Sequence, residues 1–482
     1  MTRWLVTISC ALACAKAAPS RSATADTAGG GAPAVVLETP DHRPSSFSPS
    51  PFVPPRIIER RLQNGIRVLV VVERTLPIVH IELVVRRGAA DAPPGVASFT
   101  SELMIGREVV LLGAAWNSWV GYDAFGVSLR GITPEWTSNL PQETFSKLAS
   151  GLRQPELTAA RVESERRRRL SGFPRPPFDT EHRLSRAIRG AFYPPGHPHR
   201  TATTGVDARV PEVLVDDIRE FLASQVTPEQ VALVAVGDVA LESFLDSVRT
   251  AFGGWTGTAR ARADLPEIVD RTPGGPPLTL IDSRGLARAH VTLVARGAPS
   301  GSDDVPALTV LDSLLGTSFV GRLHLSLRDE HGYTYSASSR LNSVRGGGYV
   351  EVQTTIGRSD LVVAITELRG EIARLAATPL DENTLAREKS KLLRQLPFEF
   401  ASLEATVEAL SWLAAYDLPT DEHTRRGERI SRVTTEDLLR VAKQYLDPSQ
   451  LRWFVVTDAT AVQKDLARLG LGPAHVVGER DP

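Results

Sequence analysis

At 482 residues, 42% of them hydrophobic, the chain is too long for a single core and has the composition of a globular protein, which excludes a disordered or collagen-like polymer. Length alone suggests roughly two to four domains. The 55 Lys and Arg against 56 Asp and Glu leave a formal net charge of -1, without the basic excess that a nucleic-acid binder carries.

Residues 1–17 read as a secretory signal segment, with Arg3 in a short basic start, an apolar run from Trp4 to Ala15 and the small-x-small step Ala15-Lys16-Ala17. That run is too short to span a bilayer comfortably. Both cysteines of the chain, Cys10 and Cys14, lie here, so a mature chain cut after Ala17 has no disulfide, no thiol nucleophile and no cysteine metal cluster. Ala11-Leu12-Ala13-Cys14 also resembles a bacterial lipobox, and on that reading Cys14 is acylated, becomes the first mature residue and attaches the protein to a membrane. Both readings predict an exported protein of the periplasm. Residues 18–55, rich in Ala, Pro, Ser and Gly, read as a disordered tether.

Asn64-Gly65 is a tight-turn pair, and the β-branched runs 66–72 and 79–85 flank the turn-prone Thr75-Leu76-Pro77. They predict a hairpin or two neighbouring antiparallel strands. A helix is expected over 156–170, where Glu163, Glu165 and the run Arg166-Arg167-Arg168-Arg169 read as a solvated face. His182, His197 and His199 fit no standard ligand spacing of a metallopeptidase, and His197-Pro198 reads as a turn or packing feature.

The chain then repeats itself. Asp217-Ile218, Thr227-Pro228-Glu229-Gln230 and Val236-Gly237-Asp238 match Asp437-Leu438, Asp447-Pro448-Ser449-Gln450 and Val456-Thr457-Asp458 at a constant offset of 220 residues. Earlier, Leu83-Val84-Val85-Arg86-Arg87-Gly88 resembles Leu293-Val294-Ala295-Arg296-Gly297 at an offset near 210. A unit of this size is a duplicated domain rather than a solenoid repeat. The second copy predicts helices over 309–315, 361–377, 382–395 and 434–445 and strands over 349–356 and 451–456. The expected architecture is α+β: domains at 56–262 and 275–480, each an antiparallel sheet with helices packed on it, joined through the Pro- and Gly-rich stretch around Pro266 and Pro273-Gly274-Gly275-Pro276-Pro277.

A series of motifs in order, Asn64-Gly65-Ile66, Arg87-Gly88, Gly95-Val96-Ala97, Gly196-His197-Pro198, Val236-Gly237-Asp238, Gly316-Thr317-Ser318-Phe319 with Arg322-Leu323, and the run from Leu327-Arg328 to Tyr335, resembles peptidase family M16, the group of pitrilysin, insulinase and mitochondrial processing peptidase. The resemblance covers most of residues 56–460 and implies a clam-like pair of domains. Active members carry the inverted zinc signature H-x-x-E-H, in which two histidines and a downstream glutamate hold the metal and the inner glutamate is the general base. The matching positions here are Ser98, Phe99, Thr100, Ser101 and Glu102, and the third ligand falls at about Gly172. The resemblance therefore implies no cofactor in this chain and no catalysis by it alone. It also matches Arg328 and Tyr335 to an arginine and a tyrosine that reach the substrate at the zinc centre. These residue types suit an oxyanion, since a guanidinium fork and a phenol both donate to developing charge. The implied function is a non-catalytic subunit of a heterodimeric metallopeptidase, lending Arg328 and Tyr335 to a zinc-carrying M16 partner that cleaves peptides. The alternative is a structural or peptide-binding subunit without a part in chemistry.

Overall fold

The computed structural model describes residues 52–104, 115–132, 140–172, 179–205, 212–258, 260–266, 275–316 and 321–478. The signal segment with Cys10 and Cys14, the tether up to residue 51, and Thr317 to Phe319 of the motif at 316–319 lie outside these residues.

Strands β1 (Ile58–Arg61), β2 (Arg67–Val72), β3 (Ile78–Val85), β4 (Ala115–Val120), β5 (Phe125–Ile132) and β6 (Val231–Gly237) form one sheet in the order β1-β2-β6-β3-β5-β4. Strands β7 (Leu278–Asp282), β8 (Arg288–Gly297), β9 (Ala337–Val344), β10 (Gly347–Gly357), β11 (Arg452–Thr457) and β12 (His475–Val477) form the other in the order β12-β7-β11-β8-β10-β9. The two orders superpose strand for strand from the second position on, as duplication requires. The repeat at offset 220 is the Val215–Gln225 helix with β6 against the Thr435–Tyr445 helix with β11. Pairing is mostly antiparallel, and β2–β6, β7–β11 and β7–β12 run parallel.

The two early strands are not partners. β6 lies between them, parallel to β2 and antiparallel to β3, which corrects the hairpin expectation. All seven residues of β6 are buried, so this strand belongs at the centre of a sheet covered on both faces, and turn residues beside β2 carry no information about a strand so much later in the chain.

Each sheet packs one face on helices of its own half. In the first half Leu103, Leu148, Phe221, Phe244 and Val248 from four helices close the core over β3, β5 and β6. In the second, Leu308, Leu311, Ile365, Leu368, Leu438 and Val441 do the same over β8, β10 and β11. The opposite faces are covered by an exchange. The Leu403–Ala415 helix of the second half lays Val407, Leu410 and Leu413 on Leu69, Val84 and Val234 of the first sheet. The Thr180–Phe192 helix of the first half lays Leu184, Ile188 and Phe192 on Ile281, Val294 and Phe454 of the second sheet. Each fully buried aliphatic side chain contributes about 1.5–3 kcal/mol, so the exchange binds the halves into one unit.

Polar contacts secure the exchange. Buried Arg67 on β2 donates to the carbonyls of Leu413 and Leu418, and buried Arg183 on the Thr180–Phe192 helix donates to the carbonyl of Asp282 at the end of β7. Between the halves, Asp91 and Asp123 are held by Arg262 and Arg345, and the Tyr416 hydroxyl donates to Asp123 at 3.2 Å. Among the described residues no helix is long and apolar enough to cross a membrane.

Candidate functional site

The helix that matches the inverted zinc signature is Val96–Leu103. It starts from Gly95, whose φ of 85° only glycine adopts freely, and it is crowded there by Gly205, where a Cβ would stand 2.5 Å from the Gly95 nitrogen. Apart from Glu102, every residue of the helix is buried. Thr100 and Ser101 spend their hydroxyls within the helix, on the carbonyls of Val96 and Ser98.

Across it runs the Ala159–Ser171 helix, capped by the Thr158 hydroxyl. Its inward stripe is Val162, Glu165 and Arg169, with Arg166 beside it donating to the carbonyl of Val213. The arginine run is therefore not a solvated face. Arg167 and Arg168 remain outside at 73% and 61% exposure, while Arg169 is only 11% exposed. Arg169 donates from Nη1 to Ser98 Oγ at 2.8 Å, from Nη2 to the Ser98 carbonyl at 3.0 Å and from Nε to Glu165 Oε1 at 2.6 Å. Its guanidinium lies 4.1 Å from the centre of the Phe99 ring. Arg168 holds the same Glu165 from outside and reaches Glu102 Oε1 at 3.2 Å, and Ser118 on β4 donates to the other oxygen of Glu102.

Burial pushes the Glu165 carboxyl up, but the hydrogen bonds from Arg168 and Arg169 outweigh it and hold the group below its ordinary value. Burial likewise lowers Arg169 against the opposing pull of Glu165. A guanidinium remains charged under either influence. Gly172, the expected third ligand, caps the helix one turn past Arg168 and brings no side chain to the corner. A zinc site of the M16 type does not fit these residues: Ser98 and Glu102 stand where imidazoles are needed, and their oxygens already accept from arginines. Among the described residues no group of three or more His, Cys, Asp and Glu could hold a metal.

The residues expected to serve a partner lie in the second half. Arg328 is in a π-helical turn, Leu325–Glu330, which follows the short Arg322–His324 helix. Such turns recur at functional sites. Arg328 donates from Nη1 to Nε2 of buried His324 at 2.6 Å, which requires that ring nitrogen to be unprotonated. Asp329 approaches only to 3.8 Å and both groups are solvated, so that pair adds little. Beyond the turn, Thr334 is pinned by bonds to the carbonyls of Ser336 and Thr355, and the next side chain, Tyr335, is thrown outward to 75% exposure. The Arg328 guanidinium lies 4.9 Å from the centre of its ring. The fold thus brings Arg328 and Tyr335 together on the surface, and Tyr335 takes no part in the core.

His197 and His199 form a buried turn. His197 Nδ1 accepts from the backbone N–H of His199, the His197 ring stacks on Tyr193 at 4.8 Å, and Tyr122 packs on His199 at 4.2 Å. Desolvation lowers His197 and drops His199 to about 3, so both rings are neutral.

Comparison with known proteins accords with this geometry. The peptidase M16 inactive domain matches residues 213–392. Over that stretch the chain is similar to the M16 peptidase family. An uncharacterized zinc protease of Bacillus subtilis, YmxG, is 24% identical over 227 residues, 47% of this chain and 53% of that protein. A probable inactive metalloprotease of the same organism, YmfF, is 21% identical over 250 residues, 51% and 57% of the two chains. The chain therefore matches only about half the length of these curated relatives. Among solved structures, an M16 inactive domain from Pseudomonas fluorescens has a TM-score of 0.71 at 18% identity, covering 83% of this chain and 98% of that one. The first half of the periplasmic protease PqqL of Escherichia coli reaches 0.71 at 15% identity, covering 87% and 97%. These likenesses carry the fold. Sequence reasoning did not single out Glu165 and Arg169 as the groups that pack against Ser98 and Phe99; the available signal was their i,i+4 spacing on the stripe that begins with Val162.

Proposed function

We propose that this chain is the non-catalytic subunit of a heterodimeric M16-type zinc metallopeptidase, with Arg328 and Tyr335 acting in the partner's active site. The observation that carries the reading is a contrast: Arg328 and Tyr335 are assembled on an accessible surface, while the chain's own metal corner is filled by Arg169. The partner supplies zinc and the general base. From this chain, the Arg328 guanidinium and the Tyr335 hydroxyl donate to the scissile carbonyl and to the charge that grows on its oxygen, a role in which each donor is worth about 100-fold or more in kcat. The peptide itself is expected to add as a strand to a sheet edge near the partner's metal, which admits many sequences.

Export is supported by the signal-like segment 1–17, and acylated Cys14 would keep the subunit at a membrane. The fold relative PqqL is a periplasmic protease, the compartment assigned here.

The test is peptide hydrolysis by a zinc-carrying M16 subunit from the same source, alone and mixed with this chain. Activity should appear or rise sharply on mixing, and Arg328→Ala should cut kcat about 100-fold while the complex still assembles. Unchanged activity of the zinc subunit on mixing would remove the shared site. The bond from Arg328 to His324 favours a second reading, a structural or peptide-binding subunit; there Arg328→Ala weakens assembly and leaves turnover per complex intact.

A further inference from the structure

We infer that the Arg169 guanidinium is the resident cation of the M16 corner, held in a site built from this chain's own groups, and that its presence excludes divalent metal there. The inference rests on the resemblance of residues 98–102 to the M16 signature and on the geometry of the corner, and it is independent of any partner.

The cradle has the features of a cation site rather than of an ordinary surface ion pair. Of the five N–H donors of a guanidinium, four are directed at oxygens: Glu165 Oε1, Ser98 Oγ, the Ser98 carbonyl and, at 3.3 Å, the Thr204 carbonyl. The flat face is closed by Phe99 at 4.1 Å, a cation–π contact in a nearly dry setting. Three separate segments supply these groups: the signature helix, the crossing helix and the loop that packs on Gly95. Charge balances as well, since the carboxylates of Glu102 and Glu165 meet the guanidiniums of Arg168 and Arg169. A dication added to this set would face two positive groups and find the carboxylates already engaged. Ser98 shows the substitution most directly, because the side chain at a ligand position now accepts from the internal cation instead of donating electrons to a metal.

Two measurements on the isolated full-length chain test this. In the first, Arg169→Ala lowers the melting temperature by several degrees, and low-millimolar methylguanidinium restores a substantial part of the loss while uncharged methylurea at the same concentration restores none. Equal behaviour of the two additives, or no recovery with either, would overturn the inference. In the second, the ligand set is rebuilt as Ser98→His, Ser101→Glu, Glu102→His and Gly172→Glu, and zinc per chain is read after exhaustive dialysis. With Arg169 in place the rebuilt chain should retain almost none, and adding Arg169→Leu should raise retention at least tenfold. Stoichiometric zinc with Arg169 still present refutes metal exclusion, and this arm decides the matter if Arg169→Ala does not fold. Both readouts are made without a partner subunit, so they fail or succeed apart from the shared-site proposal.

Discussion

The first-half corner has a counterpart in the second half, and the two differ in how a buried glutamate is answered. Glu165 sits on the Ala159–Ser171 helix and Glu388 at the corresponding place on the Glu382–Gln395 helix, each followed in its own half by the helix that crosses to the other sheet. Glu388 accepts from Ser313 Oγ at 2.9 Å and pairs with Lys391, whose ammonium also donates to the Ser313 carbonyl. Both corners thus answer a buried carboxylate with a basic residue of the next turn that also donates to a serine on a facing helix, and in the second half the serine hydroxyl donates to the carboxylate as well. What differs is the depth of the cation. Lys391 is 21% exposed and its flexible stem reaches toward water, whereas Arg169 is 11% exposed and four of its N–H groups are held by oxygens. The lesson is that the half with the segment that resembles the zinc signature uses the same kind of structural polar pair as the other half.

The largest expected effect would break this parallel. Glu165→Ala leaves Arg169 charged and buried without its counterion and should cost about 3–5 kcal/mol, while Glu388→Ala should cost about 1–2 kcal/mol because Lys391 can swing to solvent. Urea denaturation of both variants measures the difference, and equal losses would show that the two corners are energetically alike.

Acid provides a second probe, centred on the first half, where His197 and His199 are buried. Their folded pKa values lie below the unfolded value of about 6.5, so the unfolded chain takes up protons first as pH falls. Their contribution is complete above about pH 6.5 and is lost progressively toward the folded value of His199, about 3. Between pH 6.5 and 4.5 the loss from His199 alone is about 2–3 kcal/mol. Stability measured over that window should flatten in His199→Gln, and an unchanged slope would assign the acid sensitivity elsewhere.

A third comparison concerns the exchanged helices. Arg67→Ala and Arg183→Ala each remove a buried guanidinium that ties one half to the other, and each should cost about 2 kcal/mol. Near-equal losses would sharpen the two-fold picture. The smallest effect is expected at the surface: Tyr335→Ala should change stability by less than about 0.5 kcal/mol, since the residue is 75% exposed beside the Arg328 guanidinium. A larger loss would mean that Tyr335 is part of the fold.

Much of this molecule was legible in one dimension. The helices over 361–377 and 382–395 have the bounds expected from their periodicity, the helix expected over 434–445 differs only in having Thr434 as its cap, and the 220-residue offset marks real structural equivalents. Register between distant strands was not legible. β6 enters between β2 and β3 because its burial on both faces needs a central place, and no local turn signal encodes that. The direction of the arginine run was equally hidden, since four consecutive charged residues point around a helix and only the packing of Val162 and Glu165 decides which of them turns inward.

The amino-acid order by itself determined the duplication, the α+β class and the M16 resemblance, with serines and a glutamate at the positions matched to the zinc signature, because these are matters of residue type at a spacing. Only the tertiary structure decided that Arg169 fills the corner, that Tyr335 stands in solvent beside Arg328, and that each half covers the other's sheet with a helix. Those facts depend on which groups from remote segments compete for the same buried volume and the same hydrogen-bond acceptors, and that competition exists only once the chain has folded.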